Sequence, residues 1–157
     1  MINIGARLAV LSLIAGLAVL TSAQGQEKKI KREDLPPAVE KTVVAQSQGA
    51  TIKGFSSEVE GGKTLYEVEL TVNDHGKDIS MDKDGKIVEV EEEVAMDSLP
   101  PEVKAGLTKA AGSGTITRVE TLAKAGKIVA YEADVKNGSK HSEVQVGPNG
   151  NKLAHEE

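Results

Sequence analysis

The chain has 157 residues, a formal net charge of −5 at neutral pH and no cysteine. The acidic balance argues against nucleic acid as a partner, because such binding depends on clustered Lys and Arg that neutralise phosphates. The lack of cysteine excludes disulfides, thiolate catalysis and cysteine-ligated metal sites.

The first 23 residues have the pattern of a secretory signal. Arg7 precedes an apolar run from Leu8 to Leu20, and the small residues 21–23 follow. A basic start, an apolar centre and a small-residue exit are typical of a signal peptide that is cleaved on export. The alternative is an uncleaved anchor, but the run is shorter than the roughly 20 residues of a spanning helix. We therefore expect cleavage after Ala23, location in the periplasm or outside the cell, and no stable membrane anchor after cleavage.

The rest of the chain divides into a polar leader and two copies of one unit. Residues 24–33 are rich in charge and are predicted to be a flexible leader. The hexapeptide that begins at Asp34 returns in similar form at Ser98, 64 residues later, and the Tyr66-Glu67 pair returns at Tyr131. Because a repeat determines the architecture, we predict two repeats, at 34–95 and 96–157.

Each repeat is predicted to be a short helix followed by four strands. The first helix is predicted to begin at Asp34 or Leu35. Asp34 and Ser98 are good capping residues, and the prolines after them suit a first helical turn. A proline at the third helical position would forfeit one capping hydrogen bond, so the cap residue is left open. Apolar and polar residues then alternate between Asn-Gly, Asp-Gly and related turns, which is typical of antiparallel hairpins. The predicted strands are 51–59, 66–72, 78–81 and 87–94, then 116–122, 129–136, 142–146 and 152–155. The fold class is therefore α+β, with the pattern αββββ occurring twice. Because the hydrophobic core of one repeat of about 60 residues is only marginally stable alone, we expect the two repeats to form one compact unit.

The order of short motifs in the two copies resembles the PepSY-like, beta-lactamase-inhibitor-like family of secreted bacterial proteins. The matching residues are Leu35, Pro36, Val39, Tyr66, Glu67, Asp84 and Gly85, then Leu99, Pro100, Val103, Tyr131, Glu132, Asn149 and Gly150. The resemblance implies an exported tandem fold with helices over a sheet and a binding or peptidase-restraining role. It carries over no catalytic residue.

Strand parity predicts one face under the helices and one acidic face. The helix side is predicted to hold Tyr66, Val68, Leu70, Ile79, Met81, Val88 and Val90, with Val39, Val43 and Gln46 of the first helix above them. The candidate binding residues on the outer face are Glu67, Glu69, Asp78, Glu89, Glu91, Glu132, Asp134 and Glu143, with Lys136 as a minority cation. Like charges across strands cost stability, so a basic partner or a cation would relieve them; the alternative is a merely soluble face.

These observations favour a non-catalytic binding module that meets a protein or a cationic peptide. The family resemblance implies a sharper version, in which the module restrains a peptidase or another envelope enzyme. The alternative is a weak cation-binding acidic envelope protein without a specific protein partner. No cofactor is expected.

Other candidate sites are weak. Asp82 to Gly85 could begin a calcium loop, but Lys86 and Ile87 stand where such a loop needs an oxygen ligand and a glycine, so we predict a hairpin turn. The three histidines lack zinc-site spacing. Asp74, His75 and Ser56 or Ser57 could be drawn as a hydrolase triad, but no nucleophile elbow surrounds either serine. We therefore predict neither a metal site nor an enzyme.

Overall fold

The computed structural model of the chain describes residues 27–155 and residue 157. The predicted signal segment 1–23 and the start of the leader lie outside the described residues. No helix in the described part of the chain is long and apolar enough to cross a membrane.

All strands of the described chain belong to one antiparallel sheet. In chain order the elements are β1 Lys28–Lys29, α1 Pro37–Gln46, β2 Thr51–Glu60, β3 Lys63–Val72, β4 His75–Asp82, β5 Ile87–Glu93, α2 Pro101–Ala111, β6 Thr115–Lys124, β7 Lys127–Asn137 and β8 Lys140–Val146. The eight strands lie side by side in that same order. The α+β class is thus confirmed, and the two halves are joined by the pairing of β5 with β6.

The predicted αββββ pattern is wrong for the second half, which has three strands. Residues 152–155 do not form a strand, and only Lys152 makes an isolated bridge, to Val146. The equivalent strand of the first half, β5, is held between β4 and β6. A final strand after β8 would have a neighbour on one side only, and this segment lacks the β-branched residues that favour strands.

Both helices begin later than predicted, and neither Asp34 nor Ser98 caps one. Pro36 and Pro100 occupy the N-cap positions, with ψ of 146° and 142°. A residue that precedes proline is disfavoured in the α region, so each Pro-Pro pair keeps the backbone extended up to its second proline. The residues before them form short 3-10 helices at Arg32–Asp34 and Met96–Ser98.

Each helix packs on its own half of the sheet. Val39 and Val43 of α1 are fully buried, as are Val103 and Leu107 of α2. They form two apolar clusters with the inward-facing strand residues, which include Val68, Leu70, Ile79 and Met81 in the first half and Val119, Tyr131, Ala133 and Val146 in the second. Gln46, predicted on the buried face, is exposed at the last position of α1. In the part of the chain that the structure describes, the reverse face of the sheet is therefore not covered by a helix.

Part of the leader predicted to be flexible is structured. Lys28 and Lys29 pair with Ser57 and Ser56 of β2, and the amide of Ile30 donates to the carbonyl oxygen of Phe55 at 3.0 Å. Ile30 also packs against the first apolar cluster. The backbone pairing and this apolar contact together fix the segment against the sheet.

Candidate functional site

The face of the sheet opposite the helices forms an acidic groove of about 480 Å³. Its acidic lining residues are Glu58, Glu60, Glu67, Glu89, Glu91, Glu120, Glu132, Glu143 and Glu157. The basic lining residues among those described are Arg118 and Lys124. We call this surface the carboxylate groove. Because strands from both halves line it, the groove exists only through the continuous sheet.

Strand alternation explains why the carboxylates share this face. In β3, Val68 and Leu70 are buried under α1. Glu67, which directly precedes Val68, points to the groove. In β7, Ala133 packs in the second apolar cluster, and Glu132 beside it lines the groove. Successive side chains of a strand point to opposite faces, so the apolar side and the acidic side follow from one pattern.

The structure brings most of the predicted site residues together. Glu67, Glu89, Glu91, Glu132 and Glu143 line the groove. Carboxylate oxygens of Asp78, Glu91 and Glu120 lie within 4.8 Å of one another, and those of Glu27, Glu67 and Glu69 form a second such group. Asp134 lies to one side, where its Oδ2 is 3.3 Å from Nε of Arg118.

Six charged groove residues escaped the sequence prediction: Glu58, Glu60, Glu120, Glu157, Arg118 and Lys124. Glu120 is only 4% exposed, and one of its oxygens, Oε2, accepts a hydrogen bond from Nη2 of Arg118 at 2.6 Å. Nζ of Lys124 is 3.4 Å from a carboxylate oxygen of Glu89. Lys136, the predicted cation of this face, is not among the lining residues. Alternation along β6 could have found Arg118, Glu120 and Lys124, but their central place depends on the β5–β6 pairing.

Val88 faces the carboxylate groove, although parity predicted it under the helix. Ser80 pairs with Glu89 and Met81 pairs with Ile87, so Val88 is an extra residue in β5. Such a bulge reverses the facing of the side chain at that point. The bulge keeps Glu89 and Glu91 in the groove while Ile87 stays against the first apolar cluster.

Burial in this crowded face makes two carboxyl groups hold protons near neutral pH. Burial, followed by repulsion from nearby carboxylates, raises the pKa of Glu91 to about 8. The same two causes raise the pKa of Glu67 to about 7. The hydroxyls of Ser56 and Ser80 donate to the Glu67 carboxylate at 3.5 and 3.4 Å. The groove is thus partly protonated at neutral pH and gains negative charge as the pH rises.

The pKa values of four further carboxyl groups on this face are shifted in the same direction. Burial raises the pKa of Asp78, Glu89, Glu120 and Glu132. Arg118 opposes the rise at Asp78 and Glu120, and Lys124 opposes it at Glu89. The two cations therefore compensate only part of the crowding, and the groove keeps a capacity to attract further positive charge.

The catalytic and calcium-loop alternatives have no support in the geometry. Ser56 pairs with Glu67 and His75 pairs with Val72, so they lie five residues apart along β3, a separation of about 16 Å. The Asp82 carboxylate accepts hydrogen bonds from the amides of Asp84 and Lys86, both at 3.0 Å. Asp82 therefore closes a hairpin turn, as predicted, and the triad is not assembled.

Comparison with known proteins places the chain in a structural class. No protein-family model matches the chain, and no curated protein matches it. Several solved structures of periplasmic and BLIP-like proteins from Bacteroides share its fold. The chain therefore has a BLIP-like α+β fold, which agrees with the beta-lactamase-inhibitor-like part of the sequence resemblance and does not bear on its PepSY-like part.

Three of these solved structures have TM-scores above 0.5. A protein from Bacteroides eggerthii DSM 20697 that is proposed to be periplasmic has a TM-score of 0.60 at 14% identity, over 76% of this chain and 86% of that one. A DUF2874 family protein from Bacteroides ovatus ATCC 8483 has 0.57 at 17%, over 76% and 84%. A BLIP-like protein from Bacteroides fragilis NCTC 9343 has 0.54 at 19%, over 76% and 83%. At such identities the likeness concerns the fold, and the periplasmic description agrees with the export expected from residues 1–23.

Proposed function

We propose that the protein is a periplasmic, non-catalytic binding module whose carboxylate groove receives a basic segment of another protein. The observation that carries this proposal is the composition of the groove, in which nine acidic residues face two basic ones among the described residues. An open surface of one charge sign concentrates and orients a partner of the opposite sign. An extended chain rich in Lys or Arg would lie along such a groove and relieve the repulsion between its strands.

An envelope enzyme is the sharper candidate for the partner. The order of motifs in both repeats resembles beta-lactamase-inhibitor-like proteins, and one solved structure with this fold is described as BLIP-like. The chain contributes few aromatic anchors, with Phe55, Tyr66 and Tyr131 as its aromatic residues. Because such anchors dominate many tight interfaces, charge is the feature of this chain that favours binding to an enzyme, and a basic surface on that enzyme is required.

Reversing charge in the groove tests the proposal. The variant combines Glu60→Lys, Glu89→Lys and Glu143→Lys, which lie on β2, β5 and β8. We expect it to bind a synthetic Lys-Ala repeat peptide at least about tenfold more weakly than the unchanged protein, because each substitution replaces attraction by repulsion. Calorimetry at low salt measures the affinity, and circular dichroism checks folding.

The matched control reverses three acidic residues outside the groove, Glu33→Lys, Asp84→Lys and Glu102→Lys, and so changes the net charge equally. This variant should lose much less affinity. Equal loss in both variants would mean that net charge alone governs binding, and the groove proposal would be wrong. Cross-linking in periplasmic extract then identifies the natural partner. The unchanged protein and the groove variant are used as separate baits, and the partner is a protein that the first bait captures and the second does not.

A further inference from the structure

Three carboxylates meet on adjacent strands at the middle of the sheet. Asp78 of β4 lies directly opposite Glu91 of β5, and Glu120 projects from β6, the next strand. One carboxylate oxygen from each of the three lies within 4.8 Å of the other two. Acidic groups on facing strands cost stability, and the cation that contacts this cluster among the described residues is Arg118, 2.6 Å from Glu120.

A second observation is independent of the crowding. Glu120 is 4% exposed, and its Oε1 is buried and has no hydrogen-bond partner among the described residues. Arg118 satisfies only the other oxygen, Oε2. A buried carboxylate oxygen without a donor is rare and costly, and this one belongs to a residue of the cluster. The cluster thus includes a buried carboxylate whose second oxygen accepts from no described residue.

We propose that Asp78, Glu91 and Glu120 bind a divalent cation, and that Ca²⁺ is the ion that the site fits best. Calcium accepts six to eight oxygen ligands at about 2.3–2.6 Å, so any two ligands of one ion are at most about 5.2 Å apart. Three oxygens within 4.8 Å of one another therefore suit a single ion. Carboxylates are the ligands of hard cations such as calcium and magnesium.

The groove also explains why calcium is preferred to magnesium. Magnesium requires a near-ideal octahedron at about 2.0–2.1 Å, whereas calcium tolerates irregular coordination with water in the open positions. Here the protein supplies three ligands from one side, and the open groove leaves the other side to water. Arg118 lies next to Glu120 and opposes a second positive charge, so we expect affinity in the range of about 10⁻⁴–10⁻³ M that is typical of extracellular calcium modules.

Calcium titration of the exported chain tests this site. We expect the melting temperature to rise with CaCl₂ and to saturate at millimolar concentration, and calorimetry to detect one site. Glu120→Gln and, separately, Asp78→Asn should weaken calcium affinity by about tenfold or more, because each removes a charged ligand. Both changes preserve side-chain shape, and the half-buried Asp78 offers a second variant if Glu120→Gln does not fold.

The control is Glu143→Gln, which removes one carboxylate from the same groove outside the cluster and should leave calcium affinity within about twofold. A response to CaCl₂ that NaCl reproduces at equal ionic strength would overturn the site, as would equal losses in the cluster variants and the control. An equal response to MgCl₂ would overturn the preference for calcium. The inference does not depend on the proposed partner, because the calcium titration contains neither the basic peptide nor a partner protein. Peptide binding is measured separately, in protein from which a chelator has removed calcium.

Discussion

Glu67 connects the carboxylate groove to folding stability through a single proton. Its pKa rises from 4.5 to about 7, first because of burial and then because of repulsion from neighbouring acidic groups. Two serine hydroxyls, from Ser56 and Ser80, contact its oxygens. Between about pH 4.5 and 7 the native state therefore binds a proton that the unfolded chain has released. The contribution of Glu67 to stability is greatest below this window and is lost as the pH rises through it.

We expect Glu67→Gln to remove this pH dependence. The amide keeps an acceptor oxygen for the two serines and carries no charge at any pH. Relative to the unchanged protein, the variant should gain in free energy of unfolding as the pH rises from about 4.5 to 8, by on the order of 1–2 kcal/mol after allowance for solvent screening. Urea unfolding at several pH values across that range measures the gain.

The exposed Glu143→Gln serves as the control, since its neutralisation should change stability little. A difference between Glu67→Gln and the unchanged protein that is the same at every pH, or that shrinks as the pH rises, would contradict the assigned role of Glu67.

The closing turn of each half packs against the first turns of its helix. Gly85 and Gly150 have φ of +75° and +74°, and a Cβ atom at either would overlap a backbone carbonyl, of Ala38 and Glu102 respectively. Thr42 of α1 strengthens the first contact, because its hydroxyl donates to the carbonyl oxygen of Gly85 at 2.7 Å. The Asp-Gly and Asn-Gly turns repeat in the sequence because both their backbone conformation and their close approach to the helix require glycine.

The packing of this turn predicts unequal costs for two similar substitutions. Gly85→Ala and Gly62→Ala both place a side chain at positive φ, +75° and +77°, but a Cβ at Gly62 would meet no atom within 4 Å. Gly62→Ala should cost about 1 kcal/mol through backbone strain alone. Gly85→Ala should cost roughly 2–4 kcal/mol, because the turn must also move away from α1. Denaturant unfolding of both variants measures the difference, and equal losses would show that the turn does not depend on contact with the helix.

Prediction from sequence succeeded where the information lies within one element and failed where it lies between elements. Alternation within β3 and β7 placed Glu67 and Glu132 on the face opposite the helices, as found. The bulge at Val88 depends on how β4 pairs with β5, which residue alternation does not encode. The sequence does contain the reason for the later start of α1, because each proline of the Pro36-Pro37 pair keeps the residue before it out of the helical conformation.

Across the whole molecule, the groove depends on a contact that the sequence pattern does not specify. Glu93 of β5 pairs with Glu120 of β6, and α2 separates these two strands in the chain. The repeat predicted two similar halves but not which edges would join or that Glu120 would become central. The repeat also did not predict that residues 152–155 form no strand. A strand there would pair with β8 on one side only, and the repeat pattern does not specify this.

The concentration of acidic groups on one face predicts that salt stabilises the protein. Raising NaCl from about 0.02 to 0.5 M shortens the screening length from roughly 20 to 4 Å, which weakens repulsion within the groove. We expect the free energy of unfolding to increase with salt at pH 8, and to increase less at pH 4, where the groove carboxyls of Glu67 and Glu91, whose pKa is raised to about 7 and about 8, hold protons. Thermal or urea unfolding at the two pH values measures both responses. An equal salt response at pH 4 and pH 8 would indicate general salting-out rather than relief of repulsion.

Among the described residues, the linear order of the strands leaves two edge strands, β1 and β8, at which the backbone of another molecule could add. β1 is two residues long and consists of the exposed Lys28 and Lys29. β8 begins with the exposed Lys140 and His141. Short or lysine-bearing outer strands hinder intermolecular β-addition. A protein with an open sheet of eight strands is thereby protected from polymerising into fibrils in a crowded compartment, and replacement of these lysines would remove that protection.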